Sequence, residues 1–216
     1  MEQTILTDTQ KKAISFIGKE NNLEDFYLSG GTALAAYYFG HRFSDDLDFF
    51  SYKDPDKLFL HSFSEKLKTE INATSVQFEH LYDRNIFIYK LDDGELKVEF
   101  SKYPFIQLEH SVVKGEIRID SLRDIVVNKL MALLDRFDPK DFVDMFFILK
   151  EFSMENLRTD VEKKFGIKVD NIFLGGELSK VKRIEALPKM IKEVSTQELK
   201  EYFSELAKGL SSKIFE

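Results

Sequence analysis

The sequence predicts an α+β protein: a small mixed β-sheet with flanking helices, followed by a helical C-terminal region. Three observations predict it. Strand-like runs lie near residues 75–81, 86–91, 95–101 and 115–119, and two of them flank the short turn Asp92-Asp93-Gly94. Upstream, Gly30-Gly31 separates an apolar approach, Phe26-Tyr27-Leu28, from a compact apolar stretch, Thr32 to Phe39. That order reads as strand, tight turn and buried helix. From Ser121 onward helix signals dominate, with breaks expected near Pro139, Gly175-Gly176 and Pro188. No Gly/Ser-rich linker separates the halves, so residues 1–118 are expected to form the sheet core and 119–216 a helical region packed on it.

Each element has its own signal. Thr7-Asp-Thr-Gln10 has the form of a capping box and opens a helix running to about Lys19. Pro55 to Thr69 reads as a helix with Leu58, Phe59, Phe63 and Leu67 on one side. The alternating runs 86–91 and 95–101 form a hairpin about the Asp-Gly turn. Ser121 and Asp124 are spaced as a capping-box variant, and Ile125, Leu130, Ala132, Leu133 and Leu134 are the packing positions of the helix that follows. Asp138-Pro139 ends that helix and starts the next, with Asp138 as N-cap and Pro139 at the first helical position.

The composition fits a globular protein of 216 residues, with 43% hydrophobic and 32% charged side chains, 21 Phe and no Trp. The absence of cysteine rules out disulfides and a thiol nucleophile and suits a reducing cytoplasm. Residues 1–6 show neither a basic leader nor an apolar core, and no apolar run approaches about 18 residues, so a cytoplasmic protein without a membrane span is expected. The net charge of −7 is not that of a general nucleic-acid binder. Residues 163–192 are locally +5, which suits either a solvated helix face or contact with an RNA backbone. His41, His61, His80 and His110 have no metal-ligand spacing, and no role is assigned to them.

The chemistry concentrates between Leu28 and Phe50. Asp46 and Asp48 are two apart, so on a strand they share one face while Leu47 and Phe49 take the other. Two like charges on one face are relieved by a cation, and Mg²⁺, a hard ion that binds carboxylates together with substrate phosphates, suits them. A solvated surface pair is the plain alternative. Gly30-Gly31 and the following helix can hold an anion on backbone N–H groups, with the Thr32 hydroxyl adding to it; a simple strand-to-helix turn is the other reading. In the second hairpin strand Leu96, Val98 and Phe100 share one face and Glu95, Lys97 and Glu99 the other. Glu99 is then either a third carboxylate beside Asp46 and Asp48 or an ordinary solvent-facing acid. Arg42 is placed to neutralise phosphate or brace Asp46, and Ser44 to cap or orient the strand. Lys129 and Arg136 lie seven apart on one helix face, and Asp141 and Asp144 one turn apart on the next helix, a spacing that equally suits salt bridges.

Taken in order, Gly30-Gly-Thr-Ala-Leu34, Arg42-Phe-Ser-Asp-Asp-Leu-Asp-Phe49, a strand centred on Glu99, and the block with Lys129, Arg136, Lys140-Asp141 and Asp144 resemble the nucleotidyltransferase superfamily, and most closely its AbiEii/AbiGii toxin family. The resemblance implies a nucleotidyltransferase-like fold and transfer of a nucleoside monophosphate from a nucleoside triphosphate to an acceptor. That acceptor would be RNA such as a tRNA 3′ end, with the protein acting as the toxin of a toxin–antitoxin or abortive-infection system with a cognate antitoxin. It implies Mg²⁺, or Mn²⁺ in its place, on Asp46, Asp48 and Glu99. It also implies a phosphate-binding set of Gly30, Gly31, Thr32, Arg42, Ser44 and Lys129, and a supporting network of Arg136, Lys140, Asp141 and Asp144. Two other readings share the pocket: a small-molecule nucleotidyltransferase similar to those that modify aminoglycosides, and a nucleotide-binding protein without turnover.

Overall fold

The computed structural model describes residues 5–212; residues 1–4, where no leader is expected, and residues 213–216, expected to belong to the helical region, lie outside the described residues. Two compact units form. The first comprises described residues 5–38 and Ser44–Ser121, the second Phe39–Phe43 and the chain from Leu122 on. The helical unit thus includes five residues that a division at residue 118 leaves with the sheet.

In the first unit, α1 (Asp8–Gly18) opens on the expected capping box: the Thr7 hydroxyl accepts from the Gln10 N–H (3.1 Å) and Gln10 Oε1 from the Thr7 N–H (2.9 Å). The Gln10 amide also donates to the carbonyls of Ser44 and Asp45 (2.8 and 3.2 Å), fixing the segment that leads into the second strand. The strands are β1 (Tyr27–Ser29), β2 (Leu47–Ser51), β3 (Ser75–Leu81), β4 (Arg84–Leu91), β5 (Gly94–Lys102), β6 (Val112–Lys114) and β7 (Ile117–Ile119). They form one mixed sheet in the order β3-β4-β5-β2-β1-β7-β6, with β2 parallel to β5 and β1 parallel to β7. The single strand expected at 115–119 is instead the β6–β7 hairpin, because Gly115 takes a left-handed conformation (φ 62°) and reverses the chain. Between β1 and β2 lies the short helix α2 (Gly30–Leu34), which continues as a π-turn over Ala35–Phe39.

Leu28, Leu47, Phe49, Val98 and Phe100 are at most 1% exposed. They line the sheet face covered by α1 and by α3 (Lys57–Glu70), where Phe63 stacks on Phe16 and meets Phe100 edge-on. Each such side chain contributes about 1.5–3 kcal/mol by leaving water. On α3 the buried stripe is Leu60, Phe63 and Leu67; Leu58, expected on it, is 84% exposed because it sits in the first turn on the outer side.

The second unit contains α4 (Leu122–Asp135), α5 (Pro139–Ile148), α6 (Met154–Phe165), α7 (Asn171–Ser179) and α8 (Thr196–Ser212). Asp138 caps α5, accepting from the Lys140 N–H at 2.8 Å, with Pro139 at the first position as the sequence predicts. The break expected at Gly175-Gly176 does not occur. Both glycines lie inside α7, where packing against α8 outweighs a helix-propensity cost of about 1 kcal/mol per glycine. The basic stretch at 163–192 is dispersed: Lys164 is buried against Asp124 (2.6 Å), Lys180 pairs with Glu177 (2.5 Å), and Arg183 and Lys189 lie over the Phe137 and Phe43 rings. Among the described residues no helix is long and apolar enough to cross a membrane.

Candidate active site

In the sheet unit, Asp46 directly precedes β2 and Asp48 is the second residue of that strand. Asp48 stands opposite Ser29 of β1 and opposite Glu99 of β5. Strand alternation therefore puts Asp46, Asp48, Lys97 and Glu99 on the face away from the apolar core. Gly30 meets this face closely. Its φ is +69°, and a Cβ built on it would lie 2.5 Å from Asp48 Oδ2. A side chain there would be strained by the backbone and would force the Asp48 carboxylate to shift. Gly31 follows as the second residue of α2. The Thr32 side chain is buried, and its hydroxyl donates to the Asp46 carbonyl. The hydroxyl proton expected on a phosphate thus ties α2 to the start of β2. Ser44 contributes its carbonyl to the Gln10 contact.

Glu99 is 3% exposed and fully engaged. Arg84 grips it with Nε on Oε1 (2.7 Å) and Nη2 on Oε2 (2.6 Å), and the Ser101 hydroxyl donates to Oε1 (2.6 Å). Burial alone would raise its pKa, but these donors hold the carboxyl below its ordinary value. The Lys97 ammonium stands between Asp46 Oδ2 (3.4 Å) and Glu99 Oε2 (3.6 Å). Burial opposes the Lys97 charge, yet Asp48, Asp46 and Glu99 together raise its pKa. The Asp46–Asp48 pair suits a hard divalent cation: two oxygen donors share one face, and a cationic group already sits against it. Glu99, as arranged, offers no free oxygen, and among the described residues no group of three acidic or histidine side chains is disposed to hold a metal ion. The expected three-carboxylate site is here two carboxylates beside an ion-paired third. Arg84 was legible: counting back from the Leu91–Gly94 end of the hairpin places it opposite Ser101, diagonal to Glu99. Asp120, which carries no signal in the sequence, is a buried acid to which the Ser29 hydroxyl donates at 2.7 Å.

The helical unit holds a charge cluster of its own residues. Asp144, fully buried, accepts from Arg42 Nε (2.7 Å) and Nη2 (2.8 Å) and from His41 Nε2 (2.7 Å), and pairs with Lys129 Nζ (2.6 Å). Lys129 also donates to Asp141 (3.1 Å), which accepts from Arg136 (2.9 Å). Burial pushes the Asp144 pKa up, but Lys129, Arg42 and His41 outweigh it and hold the carboxyl far below its usual range. The same exchange raises Lys129 against its own burial. Lys129, Arg136, Asp141 and Asp144 therefore come together. Lys140 does not join them: its side chain is exposed and makes no ion pair among the described residues. Arg42, expected against phosphate or Asp46, is 1% exposed, with its guanidinium on Asp144 and on the Phe43 carbonyl. His41, for which the sequence suggests no role, completes the cluster between the Phe39 and Phe147 rings.

The Asp-x-Asp strand β2 thus lies beside a parallel strand that carries a third acid, with the glycine turn after β1 packed against Asp48. Solved structures share the fold. JHP933 from Helicobacter pylori superposes with a TM-score of 0.62 at 21% identity, covering 99% of this chain and 94% of that one. A further H. pylori chain, solved as a candidate nucleotidyltransferase, gives 0.62 at 20% identity, with 99% and 96% covered. The uncharacterized protein aq_aa25 of Aquifex aeolicus (strain VF5) is 35% identical over 164 residues, 74% of this chain and 76% of its own. The profile of the family described as "Nucleotidyl transferase AbiEii toxin, Type IV TA system" matches residues 17–215. The chain belongs to the AbiEii nucleotidyltransferase toxin family.

Proposed function

We propose that this toxin nucleotidyltransferase moves a nucleoside monophosphate from a nucleoside triphosphate to an RNA acceptor, with a tRNA 3′ end as the substrate to test first. The observation that carries the reading is the register of β2: Asp48 lies opposite Glu99 and against Gly30, with Asp46 on the same face. Asp46 and Asp48 would hold Mg²⁺, or Mn²⁺ in its place. When bound, such an ion supplies charge stabilisation to the phosphoryl oxygens. The backbone of Gly30 and Gly31 admits the triphosphate closely, because no Cβ intervenes. Thr32 keeps Asp46 in place through its carbonyl. Lys97 offsets the carboxylate charge on this face. Glu99 is the third acid, and Arg84 has to release one of its oxygens before it can take a proton from the acceptor hydroxyl. Lys129 and its partners set the charge and packing of the helical unit. The family supports a cognate antitoxin as regulator, and the substrates fit a cytoplasmic site of action.

The test incubates the protein with Mg²⁺, each labelled nucleoside triphosphate in turn, and total bacterial tRNA, with Asp48→Asn as control. Label should pass to tRNA with the wild type and fall at least about a thousandfold in the variant, the rate equivalent of several kcal/mol of lost charge stabilisation. Equal transfer by both proteins overturns the site. Label on aminoglycosides but not on tRNA overturns the acceptor.

A further inference from the structure

Beyond Asp48, the next position on the same face of β2 is Phe50, about 7 Å along the strand. Phe50 stacks on Tyr103 (ring centroids 4.6 Å apart, 15° between planes) and meets Tyr27 edge-on at 6.4 Å. Tyr103 meets Phe105 at 4.9 Å. Tyr27, Tyr103 and Phe105 then border a groove of about 320 Å³, together with Tyr52, Ile106 and Arg118. Tyr52, Ile106 and Phe105 are 70%, 53% and 37% exposed. Arg118 is the register partner of Tyr27 and is exposed, and its guanidinium has no hydrogen-bond or ion-pair partner among the described residues.

Rings alone would take any flat apolar ligand. An unpaired guanidinium beside them adds the charge that a phosphodiester needs, and rings with a cation are how single-stranded nucleic acid is held without base pairing. Direction then selects the occupant. With the leaving pyrophosphate over the glycine turn, in-line displacement brings the attacking hydroxyl in from the opposite side. Gly30 lies against Asp48, and the far side of Asp48 along this face is Phe50 and the ring groove. Resting on the RNA-acceptor reading above, we infer that this groove is the acceptor subsite: an unpaired base of the RNA 3′ end stacks on Phe105 and Tyr103, and its phosphate pairs with Arg118.

The experiment measures binding of a short single-stranded RNA, by anisotropy, to the full chain and to Phe105→Ala, Phe105→Trp and Arg118→Gln, with a thermal melt of each. Affinity for a non-hydrolysable nucleoside triphosphate and transfer to tRNA are measured in parallel. Phe105→Ala should weaken RNA binding about 5- to 150-fold, the equivalent of about 1–3 kcal/mol of lost stacking, while Phe105→Trp retains it. Arg118→Gln should flatten the dependence of log affinity on log salt by about 0.7. Triphosphate affinity should not move in any variant. Wild-type RNA binding and transfer that persist unchanged in Phe105→Ala and Arg118→Gln overturn the subsite and leave the RNA reading standing. Loss of triphosphate affinity instead overturns it in favour of the donor base. Failure of the wild type to bind or label RNA overturns the reading, and the subsite with it.

Discussion

Gly30 and His41 show how much a single residue carries. Gly30→Ala meets two penalties at once, a positive φ costing about 1 kcal/mol and a methyl pressed on the Asp48 carboxylate. Its melting temperature should fall by a few degrees, and its transfer to tRNA by far more, since Asp48 must move; wild-type turnover in this variant would show that the close approach is dispensable. At His41, burial lowers the pKa below 6.5, so the unfolded chain takes the proton first. That contribution to stability is complete above pH 6.5 and declines as pH falls below it. Asp144 and Glu99 are held below 3.8 and 4.5, so theirs are complete above those values and are lost only in stronger acid. Urea midpoints measured against pH should decline in two stages, and His41→Gln should remove the first. The Asp pair and glycines were visible in the sequence because their spacing alone gives their geometry. His41 was not, because nothing in the local sequence announces a partner 103 residues away.

Among the elements, β2 and α2 are tied by one hydroxyl. Thr32→Val keeps the shape of the side chain but leaves the Asp46 carbonyl without its donor. The loss in stability should be about 1 kcal/mol, read from chemical denaturation, with a larger fall in transfer because Asp46 is no longer fixed. A variant that is less stable but fully active would place Thr32 outside the site. Alternation along β2 and β5 was legible because a period of two needs only the sequence. Their parallel pairing was not, since it is reached only through α3, β3 and β4. The hairpin at 112–119 is not legible from the run at 115–119 alone, because the reversal rests on the left-handed conformation of Gly115. The helix through Gly175-Gly176 was misread because packing on α8 is a tertiary effect that local propensity does not contain.

For the whole molecule, the decisive feature is the placement of Phe39–Phe43 with the helices. A fragment covering 119–216 lacks His41 and Arg42 and leaves Asp144 buried with Lys129 as its remaining cationic partner in the cluster. Stripping a buried ion pair in this way costs about 3–5 kcal/mol, against a typical stability of about 5–15 kcal/mol for an entire domain. Circular dichroism should find the fragment largely unfolded; native helicity with a cooperative melt would contradict this. A division of the chain read from the sequence could not foresee it, because a five-residue excursion leaves no shift in composition. There is a consequence for heredity as well. A recombination event that imported the helices by crossing over at residue 121 would deliver Asp144 without the histidine and arginine that balance it. Descendants of this chain can therefore exchange their helical halves only with lineages whose His-Arg pair, upstream in the other half, already matches.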